Sequence, residues 1–396
     1  AVGSALGALV MGGVLAWLVE RTDMPARRIA RGLIILPMAT PPVLLAIAWV
    51  MLLDPQIGLV NTLVRTATGG DGVFFNVFSL QGMIFVEALA LVPSSFLILS
   101  PACRNMDPNL EDAAFASGAG IATVLRRIVF PLLRPAILGA GVFLFMACYV
   151  IFDIPGIIGV PAGWPVFSTS IVNSALHSPT GLPEYGRLSV LAVLLLAVLI
   201  SLAVAYGRLT KRTEKFVTMT GKGFRARQYP LGKWRVVAAL AVAGYFALAV
   251  VLPLLMLVWT SLLPYRTGVS TEVFGLVSLT NYAQLLANER FLGAAWNTTV
   301  ISLLAATAVA ALSLGISWVL IRTKAPGRSL LDTLSFVQVA LAGVMMGSSL
   351  IFVYLSINVI PIYGTICIIL VAYITIYIAF GTKVTNGALI QMSPDL

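Results

Sequence analysis

Nine stretches of this sequence are apolar over roughly 20 residues each, the length that an α-helix needs to cross about 30 Å of hydrocarbon. Inside a bilayer the backbone polar groups of such a stretch must pair with one another, and only helices and closed barrels achieve this. Composition agrees, because 59% of the residues are hydrophobic, 10% are charged and the mean hydropathy is +0.99. The sequence therefore predicts an all-α, polytopic transmembrane bundle with spans at about 1–19, 31–53, 80–102, 136–159, 188–207, 236–260, 297–321, 330–355 and 361–382.

The lysines and arginines divide unequally between the two sides of these predicted spans. One side receives 21 of the 25 basic residues, and the other receives Arg65, Arg187, Arg266 and Arg290. Since basic loops stay in the cytoplasm, we predict that residue 1 lies outside and residue 396 lies in the cytoplasm. Loops beside the anionic headgroups of a lipid bilayer also account for the net charge of +10, so no nucleic-acid partner is expected.

The sequence contains an internal repeat in which both copies face the same way. "AWLVERTDMPAR" (16–27) matches "SWVLIRTKAPGR" (317–328) at an offset of 301, and "NMDPNL" (105–110) matches "QMSPDL" (391–396) at an offset of 286. Parallel repeats of this kind predict two bundles related by a pseudo-two-fold axis along the membrane normal. We therefore expect a first half at 1–207 without its first span, a cytoplasmic linker at 208–235, and a second half at 236–396 without its last two spans.

A polar segment, residues 105–135, separates two predicted spans on the predicted cytoplasmic side. Asp107 and Pro108 are typical of an N-cap and the first helical position, and Gly118 permits the turn that ends a short helix. Alanines at 113, 114 and 116 give that helix a surface of small side chains, which another protein can approach closely. We interpret the segment as a docking elbow; the alternative is an amphipathic loop resting on lipid, which would need bulky apolar residues on one face.

Residues 112–131, "DAAFASGAGIATVLRRIVFP", resemble the EAA motif of ABC importer permeases. The matching residues are Asp112, Ala113, Ala114, Gly118, Ile128 and Pro131. Asp112 replaces the usual glutamate, and Glu111 directly before it leaves open which acid takes that part. The resemblance implies that this elbow is a coupling helix seated on a cytoplasmic ATP-binding subunit, with two such subunits per transporter. The repeat places the start of a second coupling loop at Met392, Ser393 and Pro394.

Enzymatic chemistry finds little support in the sequence. There is no GxxxxGK[ST] loop, no HExxH motif and no acidic strand end for magnesium. The three cysteines lack zinc-ligand spacing, and there is one histidine. We therefore expect no catalytic residue, no metal site and no cofactor in this chain, and the resemblance assigns ATP and magnesium to the partner ATPase.

Three further stretches resemble the fused two-half permeases of ferric iron importers. They are "AIAWVMLLDPQIGLVNTLV" (46–64), "FDIPGIIGVPAGWPVFSTSIVNS" (152–174) and "FVTMTGKGFRARQYPLGKWR" (216–235). The resemblance implies a bacterial inner-membrane permease whose solute, ferric iron, arrives on a periplasmic or extracellular binding protein. Importers of the same class for thiamine, polyamine, phosphonate or sulfate remain open, as does a secondary transporter or channel.

Two acids are candidate pathway residues, because ionisable groups at membrane depth are costly and commonly functional. Glu87 lies within the span predicted at 80–102, and Asp153 lies near the outer end of the span predicted at 136–159. Each has an alternative interpretation. Glu87 could instead pair with a neighbouring helix, and Asp153 could cap a break before Pro155 and Gly156.

Overall fold

The computed structural model describes residues 1–104, 106–176, 185–214, 228–265, 271–337, 343–356 and 361–391. Regular structure in these ranges is helical, with one isolated parallel bridge between Thr22 and Tyr229. The α-helices are α1 (Val2–Arg21), α2 (Arg27–Ile35), α3 (Pro42–Leu53), α4 (Leu59–Thr68), α5 (Leu80–Arg104), α6 (Pro108–Ala116), α7 (Ile121–Val124), α8 (Phe130–Val150), α9 (Phe167–Leu176), α10 (Tyr185–Glu214), α11 (Arg235–Phe246), α12 (Leu252–Ser261), α13 (Thr280–Leu286), α14 (Glu289–Arg322), α15 (Arg328–Val337), α16 (Gly343–Ser356) and α17 (Ile366–Gln391).

Five helical stretches in the described part of the chain are long and apolar enough to cross a membrane: Val2–Arg21, Leu80–Arg104, Ile121–Val150, Gly232–Ser261 and Glu289–Arg322. A sixth is reached if the bent pair formed by α2, α3 and the turn between them is one span. The chain is a multi-pass helical membrane protein, as predicted. The spans predicted at 188–207 and 361–382 contain shorter apolar helices, and the span predicted at 330–355 includes residues outside the described ranges, so the number nine stays a prediction.

The span predicted at 31–53 is not a straight helix. Its two parts meet at an angle of 94°. Pro41 and Pro42 stand at the break, where proline offers no N–H and keeps the residue before it out of the helical region. The sequence is continuously apolar here, so hydropathy alone predicts one span. The bend instead makes this segment either a broken span or a loop that re-enters on the same side of the membrane.

The contacts divide the chain into two compact units, Ala1–Thr169 with Ser201–Ser278, and Ser170–Ile200 with Leu279–Leu396. In the first unit α1 packs along α5 and α8. A row of small buried residues makes this close packing possible: Ser4, Ala8, Gly12 and Ala16, spaced four apart on α1. A Cβ added to Gly12 would overlap Ser95 on α5, 2.5 Å from its Oγ and 3.0 Å from the carbonyl oxygen of Val92.

In the second unit α14 packs along α17 in the same manner. At this crossing the serine, Ser313, is on α14 and the glycine, Gly381, is on α17, the reverse of the arrangement on α1 and α5. A Cβ added to Gly381 would overlap the Oγ of Ser313 and lie 3.2 Å from its Cβ. By the repeat offsets, Ser313 corresponds to Gly12 and Gly381 corresponds to Ser95. Each crossing therefore combines one glycine with one serine, on opposite partners.

The backbone of the two repeat copies agrees where their sequences match. Thr22 ends α1 at φ −120° and ψ 166°, and its counterpart Thr323 ends α14 at φ −120° and ψ 161°. Four residues later Ala26 has φ 53° and Gly327 has φ 87°, the left-handed region that disfavours a Cβ. The repeat is thus confirmed at the level of local structure, while the pseudo-two-fold relation stays a prediction.

Helices α11 and α12 belong to the first unit, where they pack against α2 and α3. A π-helical segment, Ala247–Val251, joins them into one stretch. The repeat predicts that these residues belong to the second half of the chain, and that division stays a prediction. The packing places the first span after the linker beside helices that precede the linker.

Candidate functional site

The described part of the elbow, residues 106–135, contains the short helix that the sequence predicts. Asp107 caps α6, accepting a hydrogen bond from the backbone N–H of Asn109 at 2.9 Å, and Pro108 takes the first helical position. The helix ends at Ala116 with Ser117 as its C-cap, and Gly118 follows at φ +82° with nothing within 4 Å of an added Cβ. The cap and the glycine turn are confirmed.

The return from the elbow is part of a long helix that continues into a candidate membrane span. Residues Ile121–Val150 form one continuous helical stretch, which includes the π-helical segment Leu125–Val129. In that segment the N–H of Phe130 bonds to the carbonyl of Leu125. Because Pro131 cannot donate a hydrogen bond, the wider turn before it lets the helix continue past the proline. Arg126 and Arg127 therefore lie on the membrane helix itself, and both are exposed.

The two neighbouring acids of the motif differ in burial. The side chain of Glu111 is fully buried, and it is the one residue of α6 that is buried. Asp112 is exposed, and so are Ala113 and Gly118. Ala114 is partly buried and packs on the hydrophobic core. The elbow thus presents its small residues and Asp112 outward, and directs Glu111 toward the body of the first unit.

The remaining predicted site residues are dispersed. Ile128 packs partly buried on the hydrophobic core and Pro131 is exposed. Met392, Ser393 and Pro394, the predicted start of a second coupling loop, lie outside the described residues.

Glu111 is held by two residues from distant parts of the sequence. One carboxylate oxygen pairs with the guanidinium of Arg21, whose side chain is also fully buried, and the other accepts a hydrogen bond from the hydroxyl of Tyr229 at 2.5 Å. The guanidinium lies over the rings of Trp17 and Tyr229, 5.5 Å and 5.6 Å from their centroids. Burial and the bond to Glu111 raise the pKa of Tyr229 to about 12. We call Arg21, Glu111 and Tyr229 the polar triad.

Sequence reasoning missed the polar triad. Arg21 is counted there as a basic loop residue, and Tyr229 falls in a stretch assigned to a polar linker. One signal was available, since Arg21 recurs in the repeat as Arg322 although nearby positions differ. A surface charge needs no such recurrence.

The end of the linker, residues 228–235, docks on the loop between α1 and α2. The N–H of Tyr229 bonds to the carbonyl of Arg21 at 2.7 Å, and the N–H of Asp23 bonds to the carbonyl of Tyr229 at 3.2 Å. Asp23 also accepts from the N–H of Leu231 at 2.9 Å and pairs with Arg235 at the start of α11. The bonds from Arg235 and Leu231 lower the pKa of Asp23 to about 2. This part of the predicted linker is therefore ordered structure.

Glu87, one of the two candidate pathway acids, lies between helices of the first unit. It is 2% exposed and accepts a hydrogen bond from Ser4 Oγ on α1 at 2.5 Å. This position matches the alternative of pairing with a neighbouring helix. A pathway role for Glu87 stays a prediction.

Asp153, the other candidate, is half-buried just after α8 ends. The backbone breaks at Ile151, which has ψ 135°, and turns into a short π-helical segment, Pro155–Gly159. Asp153 therefore stands at a break in the helix, and its pathway role also stays a prediction.

The sequence matches a known protein family over more than half of its length. The sequence profile described as "Binding-protein-dependent transport system inner membrane component" matches residues 8–215, more than half of the chain. The match includes α1 from residue 8 onward, the elbow, and two members of the polar triad, Arg21 and Glu111. Tyr229 lies beyond it.

Relatives named as ferric permeases match most of the chain. The "Putative ferric transport system permease protein FbpB 1" of Haemophilus influenzae is 26% identical over 372 residues, 91% of this chain and 56% of the relative. The "Ferric transport system permease protein FbpB" of Actinobacillus pleuropneumoniae is 27% identical over 372 residues, 91% of this chain and 51% of the relative. A "Probable ABC transporter permease protein" of Brucella abortus is 29% identical over 216 residues, 53% of this chain and 73% of the relative. The chain thus spans about half the length of the ferric permeases.

Proposed function

Because the chain belongs to the family of inner-membrane components of binding-protein-dependent transport systems, we propose that it is the membrane-spanning permease part of an ATP-driven ABC importer. The elbow carries this proposal. It is a capped helix with a glycine turn between two candidate spans, and it exposes Asp112 and small residues on its outer side. Of the two motif acids, we assign the contact with the ATPase to Asp112.

Energy enters through the partner subunits in this proposal. Two ATP-binding subunits hold ATP and magnesium in the cytoplasm, and closure of their dimer displaces the elbow. Rigid-body movement of packed helices then biases the bundle between inward- and outward-facing arrangements. The chain acts as a transport subunit rather than an enzyme. The excess of basic residues on one side supports the orientation with residue 1 outside and residue 396 in the cytoplasm of a bacterial cell.

Ferric iron is the proposed solute, delivered by an external binding protein. Support comes from the two relatives named as ferric permeases, whose similarity extends over 91% of this chain. A match over 91% of the chain must extend beyond residue 215, so the similarity includes residues beyond the family profile. In this arrangement the binding protein selects the solute and the permease supplies the path.

The test uses the full-length protein in proteoliposomes with its ATP-binding subunits and an iron-loaded binding protein. Gly118→Asp places a charge on the elbow, and Gly163→Asp is the matched control. Both glycines are exposed, both have positive φ (82° and 76°), and nothing lies within 4 Å of an added Cβ at either position. Aspartate tolerates this backbone region better than most residues, so both variants should fold.

We expect Gly118→Asp to lose association with the ATPase and ATP-dependent iron uptake, while Gly163→Asp keeps both. Uptake that continues unchanged without ATP would contradict the importer and favour a channel or secondary transporter. ATP-dependent uptake of thiamine, polyamine, phosphonate or sulfate in place of iron would retain the importer and reject the proposed solute.

A further inference from the structure

The elbow helix is attached to the first unit by a polar contact as well as an apolar one. Ala114 and Phe115 pack against the core only partly buried. Glu111 is the one residue of α6 that is fully enclosed, and its carboxylate reaches two other segments of the chain. A carboxylate that accepts two directed bonds fixes the orientation of its helix more strictly than apolar contact does, because hydrogen bonds weaken steeply when misaligned.

Arg21 depends on Glu111 for its neutralisation. The adjacent acid, Glu20, is engaged elsewhere, with Arg31 at 2.6 Å and Ser100 at 2.5 Å. Within the described residues, Nε and Nη1 of Arg21 have no hydrogen-bond partner, and aromatic rings lie beside the guanidinium. A buried cation in this situation strongly resists separation from its carboxylate. Movement of α6 should therefore move the end of α1 with it.

Tyr229 extends the connection to the helices that follow the linker. Its hydroxyl bonds to Glu111, while its backbone exchanges two hydrogen bonds with Arg21 and Asp23. Six residues later Arg235 pairs with Asp23 and begins α11, which packs on α2. A continuous series of polar contacts thus leads from the elbow to the first helix beyond the linker, and all of it lies within one compact unit.

We propose that the polar triad is a coupling element that transmits movement of the elbow to two membrane helices at once, α1 through Arg21 and the helix starting at α11 through Tyr229. Glu111 and Tyr229 are then positioning residues for energy coupling, distinct from the exposed surface that meets the ATPase. This inference rests on the proposed importer function. It gives the linker end a role in transport beyond that of a tether.

A conservative substitution can remove the hydrogen bond between Tyr229 and Glu111. Tyr229→Phe removes the hydroxyl that bonds to Glu111 and keeps the ring that packs against Trp17 and Arg21, as well as the backbone bonds. Glu111→Gln removes the charge at nearly constant volume, and Glu111→Asp restores the charge on a shorter side chain. Tyr265→Phe serves as the matched control, because Tyr265 is exposed.

The first measurement compares solute transported per ATP hydrolysed for the full-length protein with its ATPase and binding protein in proteoliposomes. We expect Tyr229→Phe and Glu111→Gln to lower this ratio by about fivefold or more, while affinity for the ATPase stays within about twofold. Glu111→Asp should recover part of the ratio, and Tyr265→Phe should leave it unchanged. A purely structural role would lower the amount of folded protein and leave the ratio unaltered.

A second measurement tests the physical link without reference to transport. Spin labels at Ala116→Cys on the elbow and Leu240→Cys on α11, both exposed positions, report a distance distribution in a background with the native cysteines replaced by alanine. We expect Tyr229→Phe to broaden that distribution. An unchanged transport ratio together with an unchanged distribution in Tyr229→Phe would overturn the coupling element. Transport by the unaltered protein in the absence of ATP would instead overturn the importer function.

Discussion

The crossing of α1 and α5 allows a quantitative test of the packing that holds the first unit together. Gly12→Ser inserts a side chain where a Cβ would lie 2.5 Å from Ser95 Oγ and 3.0 Å from the carbonyl oxygen of Val92. The added Cβ would also overlap the Cβ of Ser95; this atom and the Val92 carbonyl are fixed to the backbone of α5, so the helices must separate. Overpacking of this kind costs about 1–3 kcal/mol of folding free energy.

The second unit shows how the same crossing is built in reverse, with Ser313 facing Gly381. Ser95→Gly in the first unit should cost only about 0.5 kcal/mol, the difference in helix propensity between the two residues. Combining it with Gly12→Ser reproduces the second unit's arrangement and removes the overlap. We therefore expect the double variant to regain most of the loss, with a coupling energy of about 1–3 kcal/mol between the two sites.

The assay is reversible unfolding of the purified protein in mixed micelles, followed through the tryptophan fluorescence. Gly13→Ser is the control on the same helix, because its Cβ would lie 3.4 Å from Leu99 Cδ1, an ordinary contact with a flexible group. If the double variant is as unstable as Gly12→Ser alone, steric exclusion at this crossing is not what sets the stability, and the argument from the repeat is wrong.

Three further predictions follow from local geometry. Gly327→Ala should destabilise the protein by about 1 kcal/mol, because φ is 87° there, whereas Gly315→Ala in the interior of α14 should stabilise it by a similar amount; thermal unfolding distinguishes the signs. Asn61→Ala should cost about 1–3 kcal/mol and expose residues 69–79 to limited proteolysis, because the buried Asn61 amide donates to the carbonyls of Asp54 and Phe75 and accepts from the N–H of Phe75. The pKa of Asp23 is lowered to about 2 from 3.8, so its contribution is present above about pH 4 and is lost as the pH falls toward 2; the gap in melting temperature between the unaltered protein and Asp23→Asn should shrink over that range.

Local signals in the sequence predicted local structure well. The aspartate cap at 107 and the glycine turn at 118 both depend on residues close in the chain. The helical membrane architecture depends on segment length and hydropathy, which are also local. These features were therefore accessible without a structure.

Long-range partners were not accessible in the same way. Hydropathy treats 31–53 as one run and cannot see the 94° bend at Pro41 and Pro42. Glu111 is buried and Asp112 is exposed because Glu111 pairs with Arg21 and Tyr229, which lie 90 and 118 residues away in the sequence. A linker tyrosine carries no periodicity that would reveal this contact.

The exchanged glycine and serine also bear on how the two repeats avoid mispairing as they insert. A helix like α1 against a helix like α17 would bring Gly12 to Gly381 and leave a gap, whereas α14 against α5 would bring Ser313 to Ser95 and force the helices apart. Only the native pairs place a serine side chain against a glycine, where there is room for it. One glycine and one serine at each crossing would thus favour the native pairing of duplicated helices that are both strongly apolar.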